Sequence, residues 1–407
     1  MVPKGWEQKK LEELCSLDAP ITYGVLKPGE YFCGGIPLLQ IKDLCDGSVL
    51  SNGLHLISPE LDYEYRRSRI IKNDILISLV GTIGRVAKYQ SSSEANIHRN
   101  IGRIRSNQHE YLFHYLRSDD VQRGITDSAS GSSQSALNLS TLRSMLILVP
   151  PVIEQKKIAK ILSTWDKAIS VTEKLLTNSQ QQKKALMQQL LTGKKRLLDE
   201  NGVRFSGEWK RVKLGAIADM NSGGTPKSTV EEYYGGNIPW VSISDMTSNG
   251  KWIATTEKYL TELGLNSSSA RIYPKNSVLY AMYASIGECS IAAVNLTSSQ
   301  AILGIRPKDC LNYEFLYFYL TSLKEKIKLQ GQQGTQSNLN AGMVKEFELD
   351  LPSIREQQKI AAVLSVADAE ISTLEKKLAC LRDEKKALMQ QLLTGKRRVK
   401  VDEAVAE

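Results

Sequence analysis

The chain has 407 residues, 42% hydrophobic and 24% charged, a globular composition with room for two or three domains. No apolar run reaches the roughly eighteen residues that a membrane-spanning helix needs. The net charge is +9, which points to a polyanionic partner.

Taken in chain order, the first stretch, MVPKGWEQKKLEEL, is polar and mixed in charge, unlike a secretion signal. Short alternating apolar segments follow and read as strands, among them IPLLQIKDL (36–44) and KNDILISLVGTIG (72–84). HRNIGRIR is a basic run, and YLFHYLRSDD reads as a helix. From Pro150 a 3-4 apolar spacing runs through Ile158, Leu162, Trp165, Ile169, Thr172, Leu176, Ser179, Lys183, Leu186 and Leu190. A period near 3.5 over that length predicts a coiled-coil helix of about 40 residues, some 60 Å long. It ends in KKALMQQLLTGKKRL. Gly193 suits a left-handed stop, and the cations face the negative end of the helix dipole.

The same pattern then returns. KKALMQQLLTGK occupies residues 183–194 and again 385–396. PPVIEQKKIAKILSTWDKAI (150–169) lies over PSIREQQKIAAVLSVADAEI (352–371), and both open on proline followed by Glu-Gln. The second seam is Ile360, Leu364, Ala367, Ile371, Leu374, Leu378, Leu381, Lys385, Leu388 and Leu392. Two such helices in one chain pack most simply antiparallel. The segments before each helix correspond more faintly. GWEQKKLEEL matches EWKRVKLGAI, IPLLQIKDL matches IPWVSISDM, KNDILISLVGTIG matches KNSVLYAMYASIG, and GSSQSALN matches GTQSNLN. The expected partition is a mixed α/β domain at 1–150, a helix at 151–200, a second such domain at 201–352, and a helix with its tail at 353–407. Charge follows the helices. Residues 1–150 hold 17 Lys and Arg against 16 Asp and Glu, and 201–352 hold 15 against 14, whereas 151–200 hold 10 against 5.

Catalytic signals are missing. The one Pro-Pro, in VPPV, lacks the polar residue and aromatic ring that an adenine N6 methyltransferase loop needs. The Gly-Lys of LTGKK lacks the rest of a phosphate loop, and no nucleophile elbow occurs. The six cysteines show no Cys-x-x-Cys pair and the four histidines no metal-ligand spacing, so reduced thiols and no metal are expected.

In order and duplication, these motifs closely resemble the specificity subunit of a type I restriction-modification system. The carriers are NSGGTPKSTVEEYYGGNIPWVSISDM, KNDILISLVGTIGRVA, QGTQSNLN, the Pro-Glu-Gln openings and the repeated QQLLTGK. The resemblance covers almost the whole chain. It implies an α+β protein with an internal pseudo-two-fold repeat: two target recognition domains separated by two long antiparallel coiled-coil helices. Each domain would read one half of a split double-stranded DNA site. The helices would set the gap and dock two methyltransferase subunits, with restriction subunits joining them. S-adenosylmethionine and ATP would belong to those partners, leaving this chain non-catalytic and without a cofactor, in a prokaryotic cytoplasm.

Base edges are read by Arg, Lys, Asn, Gln, Ser and Thr on loops and helix starts. The candidates in the first domain are Lys42, Thr82, Arg85, Lys88, His98, Arg99, Arg103, Ser133 and Gln134. In the second they are Thr225, Lys227, Ser242, Ser244, Tyr283, Ser285, Thr335, Gln336 and Asn338. Caps and turns are the competing reading for Asn138, Asn340 and the neighbouring glycines, and a solvated strand face for Arg103. Gln188, Gln189, Gln390 and Gln391, identical in both copies and off the seam, are the candidates for partner binding. Two rival functions remain: a coiled-coil adaptor with two peptide- or RNA-binding domains, and a catalytic nuclease or methyltransferase.

Overall fold

A computed structural model describes residues 2–400 except 46, 130–135, 284 and 333–338. The chain divides into two compact units, Met1–Glu173 with Lys376–Glu407, and Lys174–Glu375. Each long helix therefore begins in one unit and ends in the other. The first is Val152–Leu190 and the second Ile354–Leu392.

In the first unit, Glu7–Lys10 pairs antiparallel with Leu146–Val149, which brings the two ends of the domain together at the start of the first long helix. A four-stranded antiparallel sheet has the order Thr22–Tyr23, Ile101–Ile104, Ile75–Ser78, Val86–Lys88. A three-stranded sheet places Ile36–Leu39 between His55–Ile57 and Asn96–Ile97. Successive side chains point to opposite faces of a strand, and here both faces are buried. Ile75 and Ile77 join the main core with Leu112, Leu116, Ile158, Leu162 and Leu392, while Leu76 joins a second core with Leu39, Ile97 and Ile101.

The second unit repeats this plan. Lys210–Lys213 pairs with Glu348–Leu351. Val278 and Tyr280 face the main core with Leu214, Leu316, Ile360, Leu364 and Leu190, and Leu279 and Ala281 face the other. Its larger sheet has five strands, because Trp252–Ile253 adds an edge, and its strand Ala218–Ser222 is longer than its counterpart Thr22–Tyr23. Asn73 and Asn276, at matching turns before the central strands, both have positive φ, 77° and 71°. Asparagine tolerates that region better than most residues.

All twenty seam residues are buried or half-buried, including the polar Thr172, Ser179, Lys183 and Lys385. The two lysines have carboxylate partners. Lys385 pairs with Asp166 in the first unit, and Lys183 with Asp368 in the second. These pairs occupy equivalent places in the repeat.

Candidate nucleic-acid interface

Each unit is closed by one joint, built at the point where a long helix leaves a domain. In the first unit Glu154 is 3% exposed and accepts from Trp6 Nε1 at 3.1 Å and from Arg398 Nε and Nη2, both at 2.7 Å. In the second, Glu356 accepts from Trp209 Nε1 at 3.2 Å and from Arg196 Nε and Nη2 at 2.5 and 2.7 Å. Each guanidinium also lies over its tryptophan ring, Arg398 at 5.7 Å and Arg196 at 5.5 Å. The neighbouring Gln155 and Gln357 donate to the carbonyls of Pro150 and Pro352 at 2.8 and 2.9 Å. Charge-assisted bidentate pairing of this kind fixes orientation as well as distance. The helix-stopping glycines, Gly193 and Gly395, have φ of 68° and 70°. Past them, Lys195 N and Arg397 N bond back to the carbonyls of Gln189 and Gln391.

The loops at which base readers were expected lie elsewhere in each domain. In the first unit Ser78 is fully buried. Its hydroxyl donates to the Thr82 carbonyl and accepts from Arg85 N at 2.8 Å, so the turn 79–85 is pinned from beneath while Thr82 stays exposed. Arg85 Nη1 donates to the Leu44 carbonyl at 2.9 Å, which ties that turn to the short helix Ile41–Asp43 carrying the exposed Lys42. Lys42 and Arg85 thus line one cleft of about 640 Å³, together with Arg117, Gln122 and Lys385. Sequence reasoning missed these last three. Arg117 and Lys385 both hold Asp166, so their charge is largely committed. Lys88 lies beside Glu110 at 3.9 Å and above the Phe113 ring at 5.1 Å, outside that cleft. His98 and the exposed Arg99 form a separate turn. Burial first, and then Arg99, holds the His98 imidazole below its usual range.

Arg103 corrects the expectation placed on it. It is 3% exposed, and its guanidinium donates to the carbonyls of Pro20, Arg67 and Arg69 at 2.9, 3.0 and 3.2 Å. A buried cation persists where carbonyls replace its water, so Arg103 braces the interior of the domain and is no solvated strand-face charge. Ser242, half-buried, has a structural task of its own. It caps the helix Ile243–Asn249, its hydroxyl accepting from Asp245 N at 3.2 Å and donating to the Asp245 carboxylate at 2.6 Å. Thr225, Lys227, Ser244 and Tyr283 are exposed, and Ser285 is half-buried. The loop bearing Thr225 and Lys227 is seated by Gly223 and Gly224. A Cβ on Gly224 would lie 2.1 Å from Ala270 N, so these glycines allow close backbone approach as well as a turn. Asn340 caps Ala341–Lys345 through Met343 N, whereas Asn138 makes no such bond. Ser133, Gln134, Thr335, Gln336 and Asn338 lie outside the described residues. Gln188, Gln189, Gln390 and Gln391 are all exposed.

The type I restriction modification DNA specificity domain matches residues 3–178 and again residues 206–381. The chain belongs to the type I restriction-modification specificity family. Among its relatives, the putative type I restriction enzyme MjaX specificity subunit of Methanocaldococcus jannaschii is 26% identical over 98% of this chain and 95% of that protein. The EcoBI specificity subunit of Escherichia coli is 31% identical over 47% of this chain and 41% of its own. Among solved structures, the type I restriction-modification S subunit from M. genitalium superposes with a TM-score of 0.62 at 15% identity, over 98% of this chain and 97% of that one. A chain from a study of assembly and conformational transition in a type I R-M system gives 0.58 at 20% identity, over 98% and 100%. At those identities the likeness establishes a shared fold.

Among the described residues no helix is long and apolar enough to cross a membrane, and no cluster of His, Cys, Asp and Glu is placed to hold a metal ion.

Proposed function

We propose that this chain is the DNA-reading, non-catalytic subunit of a type I restriction-modification complex in the cytoplasm. Each domain, 1–150 and 201–352, reads one half of a split site. The two long helices, as an antiparallel coiled-coil spacer, hold the gap and dock two adenine-N6 methyltransferase subunits through Gln188, Gln189, Gln390 and Gln391. S-adenosylmethionine and ATP act on the methyltransferase and restriction partners.

One observation carries this reading. The Glu–Arg–Trp joint recurs with the same kinds of partner in both units, while the candidate reading positions of the two domains differ: Lys42 stands where the other unit has Ser244, and Arg85 where it has Glu288. A conserved mount with divergent readers suits one task done on two sequences, and a two-fold repeat offers equivalent seats to two copies of one partner. The adaptor alternative leaves the DNA-specificity match unexplained.

The test replaces residues 1–150 with the first domain of another family member, keeping Trp6 and the strand pairing to 146–149, and maps methyladenine genome-wide. One half-site should change and the other persist. If both change, or neither, the reading is wrong. The spacer role has its own test. Each helix has one end in each unit, so four residues added to one alone would put the two copies of the repeat out of step. Matched insertions after Lys174 and Lys376 lengthen both by about 6 Å. At about 3.4 Å per base pair, the gap should grow by one to two base pairs with both half-sites unchanged.

A further inference from the structure

The repeat supplies an internal control for every residue on the long helices. At a shift of 202, Ile158 and Leu162 correspond to Ile360 and Leu364, all essentially buried in their own cores. Between and beyond them the copies part. Lys156, Lys160 and Lys167 of the first helix stand where the second has Gln358, Ala362 and Ala369. The second copy folds the same helix start without those charges, so the shared packing does not require them.

The three lysines lie on one side of the helix. Steps of four and seven residues keep them within about 40° of each other and spread them over about 16 Å of axis. All three are exposed, and none makes an ion pair among the described residues. They line one wall of a groove of about 840 Å³ in the first unit, whose opposite wall is the start of the helix His109–Leu116 with Asn107 and Gln108. Glu110 also borders the groove, and its charge is offset by Lys88 at 3.9 Å. Lys157, between them in sequence, is turned aside and donates to the Lys400 carbonyl.

We propose that this groove is a second nucleic-acid contact, a seat for the DNA sugar-phosphate backbone that reads no sequence. The inference rests on the DNA-binding function proposed above. Duplex DNA carries a charge about every 1.7 Å of axis, so a 16 Å row of cations faces several phosphates at once. Such contacts position a protein on the duplex without carrying sequence information. Sequence-neutral grip on one side of the molecule would also make the two halves of a split site unequal in binding energy.

The experiment uses the assembled complex with its methyltransferase subunits. The variant Lys156→Gln, Lys160→Ala, Lys167→Ala installs the residues that the second helix already tolerates. Binding is measured against salt on target DNA and on unrelated DNA. Each lost phosphate contact removes about 0.9 from the slope of log K against log salt, so three flatten it by about 2.7 on both DNAs. The parent's advantage over the variant should then shrink about 40-fold between 50 and 200 mM salt. Half-sites, gap and thermal melting should not move. An unchanged slope in a normally assembled complex overturns the proposal. Loss of methyltransferase subunits at an unchanged slope overturns it too, and marks the groove as a protein-docking face. A flattened slope in a complex that never prefers a split site would uphold the groove and sink the specificity reading instead.

Discussion

Ser163 and Ser365 occupy the same place on the two long helices and hold different things. Ser163 Oγ lies 3.0 Å from His114 Nε2, and the other nitrogen of that imidazole is 3.6 Å from Asp166. Ser365 Oγ donates to Glu314 at 2.7 Å and accepts from Lys251 Nζ at 2.8 Å. Aligning HEYLFHYL (109–116) with YEFLYFYL (313–320) puts Phe318 in the place of His114. That ring lies 4.6 Å from the Lys251 ammonium. The helix-borne half of the contact is fixed, and the domain-borne half is rebuilt around a histidine in one unit and a lysine–aromatic cluster in the other. A domain can therefore diverge as long as it satisfies an unchanged helix.

The comparison is broken most directly at the shared joint. Removing one partner of a buried ion pair costs about 3–5 kcal/mol. Glu356→Ala should fall at the upper end, because the Arg196 side chain left behind is 20% exposed, and Glu154→Ala at the lower end, because Arg398 is 44% exposed. Calorimetry on both variants checks the order. Equal, negligible losses would mean that the joint does not secure the helix ends.

Next come the leucines of the repeated word. Leu190→Ala and Leu392→Ala, each emptying a nearly fully buried site, should cost about 2–5 kcal/mol in urea unfolding. The half-buried Leu186 and Leu388 should cost less.

A smaller effect sharpens the contrast between His114 and Phe318. Burial is the main cause that pushes the His114 imidazole down to about 3, against the opposing pull of Asp166. Above its ordinary value near 6.5, folded and unfolded chains are both neutral there, and stability does not depend on pH. Below it the unfolded chain takes up a proton that the folded chain refuses, so stability falls until about pH 3. Between pH 7 and pH 5 the loss should be about 2 kcal/mol. His114→Phe should abolish that slope while costing about 1 kcal/mol at pH 7 for the lost hydrogen bond. A pH series of denaturation curves on the two proteins decides it.

The smallest effect on folding belongs to the four glutamines. Gln188, Gln189, Gln390 and Gln391 changed together to glutamate should each shift stability by under about 0.5 kcal/mol. Co-purification with the methyltransferase subunits should nonetheless drop. Full assembly would remove these positions from the docking surface.

The helices were legible because periodicity is local: every seam position chosen from spacing is at least half-buried, polar members included. The repeat was legible for the same reason. The partners across it were not. Two identical helix endings cannot reveal whether Arg196 returns to Glu154 or goes on to Glu356, and the structure gives the latter, with Arg398 taking Glu154. Arg103 misled because Arg103 and Arg105, flanking the apolar Ile104, imitate a strand with one wet face. The carbonyls that make it an interior residue come from Pro20, Arg67 and Arg69, distant in the chain. Ser242 carried a signal that was available: Asp245, three residues on, completes a cap.

The exchange of helix ends also sets an order of assembly during synthesis. Residues 174–375 of the second unit are contiguous, so it can close as soon as its own chain has emerged. The first unit leaves the ribosome earlier yet lacks Leu392 and Arg398 until the last stretch is made. At about 5–20 residues per second, the first domain waits about 10–40 s with its helix seam bare. The older half of the nascent chain is finished after the younger one, and a chain cut short just past Glu375 would hold every residue of its second unit and lack part of its first.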